Sequence, residues 1–164
     1  MMFDALDTQR AFRALLSAIA SPGTVHAMAP GLPLLLATLI DHEVIFAEVG
    51  DAHWRHADFV LVRGGDSNGE LARVRQGTPL DPALGATAIY ELDAVGTGPV
   101  ALRLTGPGVG PHPRTLRLAG LSTAEVGLIR QTRAAYPCGV DVLLVDRAGR
   151  CAALPRSSTV DRAA

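Results

Sequence analysis

Arginine is the one fixed side-chain cation this chain offers: all fifteen of its Lys and Arg positions are Arg. A Schiff-base lysine and a phosphate-loop lysine are therefore excluded. An anionic ligand must meet a guanidinium, a protonated histidine or backbone N–H groups. Two arginines stand beside turns suited to that task. Arg103 lies two residues before Thr105 and the turn that contains Gly106 and Gly108. Arg156 follows Pro155 and precedes Ser157 and Ser158. A guanidinium grips phosphate or phosphonate oxygens bidentately, so Arg103, Thr105, Gly106, Gly108 and Arg156 are the anion- and ligand-binding candidates. The competing role is structural. Asp141 interrupts an apolar run, and a buried carboxylate needs a partner; Arg156, Arg117 and Arg103 are the arginines that could supply it.

Other constellations carry less chemistry. His53 and His56 could share a metal from one helical face, but sequence places no third ligand beside them except the nearby Asp51 and Asp58. The expectation is no metal. The Gly106–Gly110 stretch lacks the lysine of a phosphate loop, and Pro111 and Pro113 forbid the helix that a dinucleotide fingerprint requires. It reads as a rigid turn whose N–H groups can still receive an anion. No Gly-x-Ser-x-Gly elbow occurs. Cys138 and Cys151, the two cysteines, lack metal or redox spacing. Cys138 follows a proline with no base placed beside it, and reads as a core-edge residue.

Composition sets the background. With 164 residues the chain predicts one domain. Its 48% hydrophobic and 19% charged residues exclude intrinsic disorder. A net charge of −1 gives no broad footprint for nucleic acid or an anionic membrane. The start, Met1-Met2-Phe3-Asp4, has no basic region of a signal peptide, and two free thiols suit a reduced cytoplasm. Ala14 to Ile40 carries no Asp, Glu, Lys or Arg, but Ser21-Pro22-Gly23 and Pro30-Gly31 cut it below spanning length.

The elements that must position these residues follow from periodicity. Thr8 to Ala20 predicts an amphipathic helix, capped by Thr8, with Phe12, Leu15, Leu16 and Ile19 facing the core. Leu34 to Ile40 predicts a buried helix. Strands are predicted at Thr24–Met28, Glu43–Val49, Asp58–Arg63, Ala86–Leu92, Val100–Thr105, around Leu116 and Leu118, Val140–Val145 and Cys151–Leu154. Ser122 and Glu125 have capping-box spacing and open a helix to about Ala135. The fold class is α/β, a mixed sheet sandwiched between helices, as one domain over residues 6–160 with a frayed tail at 161–164.

Four blocks carry a family resemblance in order. They are Phe12–Leu16 with Ala18–Gly23, Leu102–Gly108, Tyr136–Leu144 and Ala153–Val160. This ordered set resembles the PhnH family, a component of the bacterial carbon–phosphorus lyase complex. Pro137, Gly139, Asp141 and Pro155 are the structural residues of the last two blocks. The chain is shorter in its middle than typical members, and Cys138 stands where they carry a larger apolar residue. The resemblance implies a fold similar to the large domain of pyridoxal-phosphate-dependent transferases and a homodimer working with sister subunits G, I and J. It implies a share, with G, I and a further subunit L, in forming α-D-ribose 1-methylphosphonate 5-triphosphate from ATP and methylphosphonate with release of adenine, as a transferase only within the complex. It does not carry the cofactor over, because fold does not carry function and this chain has no lysine to hold pyridoxal phosphate as an imine. The alternatives are a standalone small-molecule anion-binding enzyme near Arg103 and Gly108 and a metal hydrolase using His53 and His56.

Overall fold

Four of the apolar runs lie side by side as parallel strands. They are β2 (Phe46–Glu48), β3 (Phe59–Arg63), β4 (Thr87–Leu92) and β7 (Asp141–Asp146). Two antiparallel strands, β8 (Arg150–Leu154) and β1 (His26–Ala27), extend the β7 edge, and the sheet order is β1-β8-β7-β4-β3-β2. The computed structural model describes residues 2–164. A second, antiparallel sheet has the order β6 (Arg114–Ala119), β5 (Ala94–Thr105), β9 (Thr159–Arg162).

Both faces of the main sheet are covered, which is why its strands read as near-continuous apolar runs. One face presents Leu61, Ile89, Leu143 and Ala153 to α1 (Ala5–Ala20) and α2 (Leu32–Leu39). The other presents Val60, Val62, Ala88, Tyr90, Val142 and Leu144 to the second sheet and to α3 (Thr123–Gln131). The expected sandwich between helices is therefore met on one face. On the other, the second sheet forms most of the layer. Its β5 and β6 alternate buried Leu102, Leu104, Leu116 and Leu118 with exposed Arg103 and Arg117, as an outer sheet must.

Helix α1 corrects two expectations. Its cap is Asp4, which accepts the Asp7 N–H at 2.8 Å while Asp7 accepts the Asp4 N–H at 3.1 Å. This reciprocal pair starts the helix one turn before Thr8. Its buried residues are Ala11, Leu15 and Ala18, whereas Phe12, Leu16 and Ile19 are about half exposed at 49%, 50% and 46%. The two alanines let the helix sit close on the sheet and rotate the bulkier stripe to one side.

The tail is likewise not frayed at Asp161: β9 runs to Arg162 and pairs with β5, Arg103 opposite Asp161. Local alternation could not announce a strand whose partner lies more than fifty residues away. Helix α3 ends at Gln131 instead of near Ala135. The Ser122 hydroxyl caps it through the Glu125 N–H at 3.0 Å. The Glu125 side chain does not complete the box. It turns inward, fully buried, to accept from the Ser67 N–H and hydroxyl and from the Tyr90 hydroxyl. No described helix is long and apolar enough to cross a membrane.

Candidate functional site

The four sequence blocks meet in the fold. Gly23 donates its N–H to the Ala153 carbonyl at 3.2 Å, joining the first block to the fourth. Gly108 has φ +80°, and a Cβ there would stand 2.3 Å from the Ala20 carbonyl, so the glycine turn can lie against the end of α1 only as glycine. A Cβ on Gly106, at φ +122°, would meet the Ser157 carbonyl at 3.1 Å. The second block thus touches the first and the fourth.

Asp141 joins the third block to the fourth. It begins β7, and Arg156 follows β8, the antiparallel neighbour of β7. Asp141 Oδ1 accepts the Arg156 backbone N–H at 2.8 Å and Nε at 3.3 Å, and Oδ2 accepts Nη2 at 2.9 Å. Arg156 also donates to the Pro82 carbonyl at 2.7 Å and the Gly85 carbonyl at 3.2 Å. Of the three arginines that could pair with Asp141, the fold selects Arg156. The pair fastens the turn after β8 to the loop that leads into β4.

A second guanidinium lies beside this pair. Arg133, buried at 8% exposure just beyond α3, uses all five donors on carbonyls: Ile129, Pro155, Ser158, Val140 and Leu154, at 2.9–3.4 Å. It meets no carboxylate within ion-pair distance among the described residues. Burial brings its pKa down to about 10, with Asp141 opposing and Arg156 reinforcing that shift. It remains charged at neutral pH. Arg130, on the last turn of α3, pairs with Asp161 at 3.3 Å and stays largely exposed.

Arg130, Arg133 and Arg156 line one open cleft of about 400 Å³, with Tyr136, Ser157 and Ser158. Ser158 is buried, and its Oγ has no hydrogen-bond partner among the described residues. Sequence reasoning reached Arg156 but missed Arg130 and Arg133. A signal for Arg133 existed. It continues the spacing of the buried Val126 and Ile129 at i, i+3, i+7, a core-facing position where an apolar residue is the norm.

The other candidates are not among the residues that line the cleft. Arg103 is exposed on the outer face of the second sheet, opposite Thr115 and Asp161, and makes no ion pair among the described residues. Thr105 faces Thr159 across β5 and β9. Among the structural residues, the Pro155 carbonyl accepts from the Ser158 N–H at 2.9 Å, and Gly139 donates to the Gln76 carbonyl at 2.8 Å. Pro137 follows a cis peptide bond in the exposed turn after α3. His53 and His56 lie on an exposed 3-10 turn, Trp54–His56, and its start. No group of three or more metal-ligating side chains forms among the described residues. Cys138 and Cys151 are both free and buried, and burial pushes the Cys151 thiol up to about 11.

Asp141 of the Asp141–Arg156 pair also belongs to the lining of an apolar groove. Phe12, Leu16 and Ile19 of α1 line it with Leu39, Phe59 and Pro155.

Comparison with known proteins agrees with the ordered blocks. Residues 2–161 match the family described as bacterial phosphonate metabolism protein (PhnH). The chain is also 34% identical to HtxG of Stutzerimonas stutzeri, a protein that carries the name of a C-P lyase subunit. That alignment covers 93% of this chain and 85% of the relative. A match over nearly the whole chain, joined to four blocks that the fold brings together, shows that the chain belongs to the PhnH family of bacterial phosphonate metabolism.

Proposed function

We propose that this chain is a subunit of a carbon–phosphorus lyase complex. Its share is in forming α-D-ribose 1-methylphosphonate 5-triphosphate from ATP and methylphosphonate. It acts there with sister subunits G, I and J, as a transferase component and not as an enzyme on its own. The observation that carries this reading is the family match over residues 2–161, supported by the relative named as a subunit of such a complex. Its place of action in this reading is the cytoplasm.

The chain's own part is binding and assembly. The half-exposed stripe of Phe12, Leu16 and Ile19 beside an apolar groove supports a two-fold homodimer. Without lysine, no imine to pyridoxal phosphate forms in this reading, whatever the likeness of fold. Borohydride treatment that fixed this cofactor to a side chain would contradict that point.

Co-expression with the sister subunits tests the assignment. Affinity capture of this chain is expected to bring down subunits G, I and J in fixed stoichiometry. Capture of this chain alone would overturn it.

A further inference from the structure

We infer that the cleft between the end of α3 and the Pro155–Thr159 turn binds a tetrahedral oxyanion, a phosphate or phosphonate group of a small molecule. The inference deepens the subunit reading and rests on it only for the choice of methylphosphonate as a probe.

Charge is the first argument. Arg156 has Asp141 at 2.9 Å and Arg130 has Asp161 at 3.3 Å, but Arg133 has no carboxylate within ion-pair distance among the described residues, and the nearby Asp141 is already held by Arg156. One positive charge is therefore left over, and it is held in a buried position. Carbonyl dipoles satisfy its hydrogen bonds but not its charge. A buried cation without a counter-charge is costly, and an anion in the open cleft beside it supplies that charge. The donors of Arg133 are all engaged, so it acts through its field.

Direct contact falls to other groups. Arg156 makes one hydrogen bond through Nη1, to Pro82, which leaves that nitrogen a second N–H. Arg130 holds Asp161 through Nε alone and is exposed enough to turn its Nη groups into the cleft. Ser158 is a wall residue whose hydroxyl is shielded from solvent and unpaired among the described residues, so the oxyanion would meet it once the side chain turns toward the cleft. A buried hydroxyl without a partner calls for one, and an oxyanion accepts from a hydroxyl and two guanidinium groups at once. Tyr136, 61% exposed, forms the outer wall and leaves room for the remainder of a larger phosphorylated molecule.

The test is a calorimetric or NMR titration of the purified full-length chain with methylphosphonate, inorganic phosphate and ATP. Three variants are compared. Arg130→Gln alters an exposed side chain, and Ser158→Ala removes a hydroxyl that holds nothing, so both are expected to fold. Arg55→Gln, outside the cleft, is the control. At least one probe is expected to bind saturably. Arg130→Gln and Ser158→Ala are each expected to weaken it by about tenfold, the effect of one lost charge-assisted hydrogen bond, with Arg55→Gln unchanged. Preference for methylphosphonate would name a phosphonate ligand, and preference for phosphate or ATP a phosphate ester; either supports an oxyanion site. Absence of saturable binding for all three probes, or equal binding by the folded cleft variants, overturns the inference. Complex membership is read separately by co-purification, so the two readings fail independently.

Discussion

Arg156 Nη2 stands 2.9 Å from Asp141 Oδ2 while Asp141 Oδ1 accepts the backbone N–H of the same arginine at 2.8 Å. One carboxylate thus fixes both the side chain and the main chain of its partner. The turn that follows Arg156 is held in place by this contact, and that turn carries Ser157 and Ser158.

Breaking the pair should destabilise the chain from either side. Asp141→Asn and Arg156→Gln are each expected to cost about 1.5–3 kcal/mol, the range for hydrogen bonds to charged groups. Asp141 is partly exposed, which keeps the value below that of a fully buried pair. Urea unfolding of both single variants and the double variant checks this. The double variant should be less destabilised than the sum, and strict additivity would show that the two do not act together.

Arg133 should tolerate no replacement. Arg133→Met leaves five carbonyls without their donor, an expected loss on the order of 3 kcal/mol or more. Arg133→Lys should not restore it, because an ammonium has about three donors on a single point and cannot span the fork. A lysine variant that melts with the parent protein would show that only the charge matters there.

Asp58 sets part of the acid limb of stability. Its carboxylate accepts the Ile45 N–H at 2.8 Å and meets Arg75, and these hold its pKa below the ordinary 3.8. The folded state therefore binds this proton less readily than the unfolded chain. The stabilisation is complete above 3.8 and is lost as pH falls through the lower folded value. Asp58→Asn should flatten the stability curve below about pH 4. An unchanged acid slope in that variant would remove Asp58 from this role.

Cys151 should resist thiol reagents in the folded protein. Burial first, and Asp146 second, raise its pKa to about 11, so little thiolate exists near neutrality. Iodoacetamide at about pH 8 is expected to label Cys151 only in denaturant, where the thiol returns to about 8.5. Peptide mass analysis reads this directly, and rapid native labelling would contradict it.

What was legible in the sequence was local. The continuous run Phe59-Val60-Leu61-Val62 announced a strand covered on both faces, and β3 is such a strand. The alternation of Leu102, Arg103 and Leu104 announced an outer strand, and β5 has that burial. The unreadable parts depended on distant partners. Helical spacing made Phe12, Leu15, Leu16 and Ile19 one apolar face, yet only the close approach permitted by Ala11 and Ala18 decides which of them are covered. β9 exists because β5 offers it an edge. At the site, Arg156 and its hydroxyl-bearing neighbours were legible from turn chemistry. Arg130 and Arg133 were not, because the cleft forms only where α3 ends against the turn after β8.

The stripe left uncovered on α1 gives the proposed homodimer a simple test. Leu16→Glu places a charge in its middle, and a side chain already about half exposed costs the monomer little. Light scattering should then report the 17.1 kDa chain in place of a dimer, with the parent's circular-dichroism spectrum retained. A dimer that survives the change would locate the interface elsewhere.

The most direct measurement is turnover by the assembled complex with and without this chain. Purified sister subunits G, I, J and L are incubated with ATP and methylphosphonate, and adenine release is followed. The account predicts that product forms only when this chain is added and that this chain alone releases none. Adenine release by this chain alone, or undiminished release when it is omitted, would contradict the account.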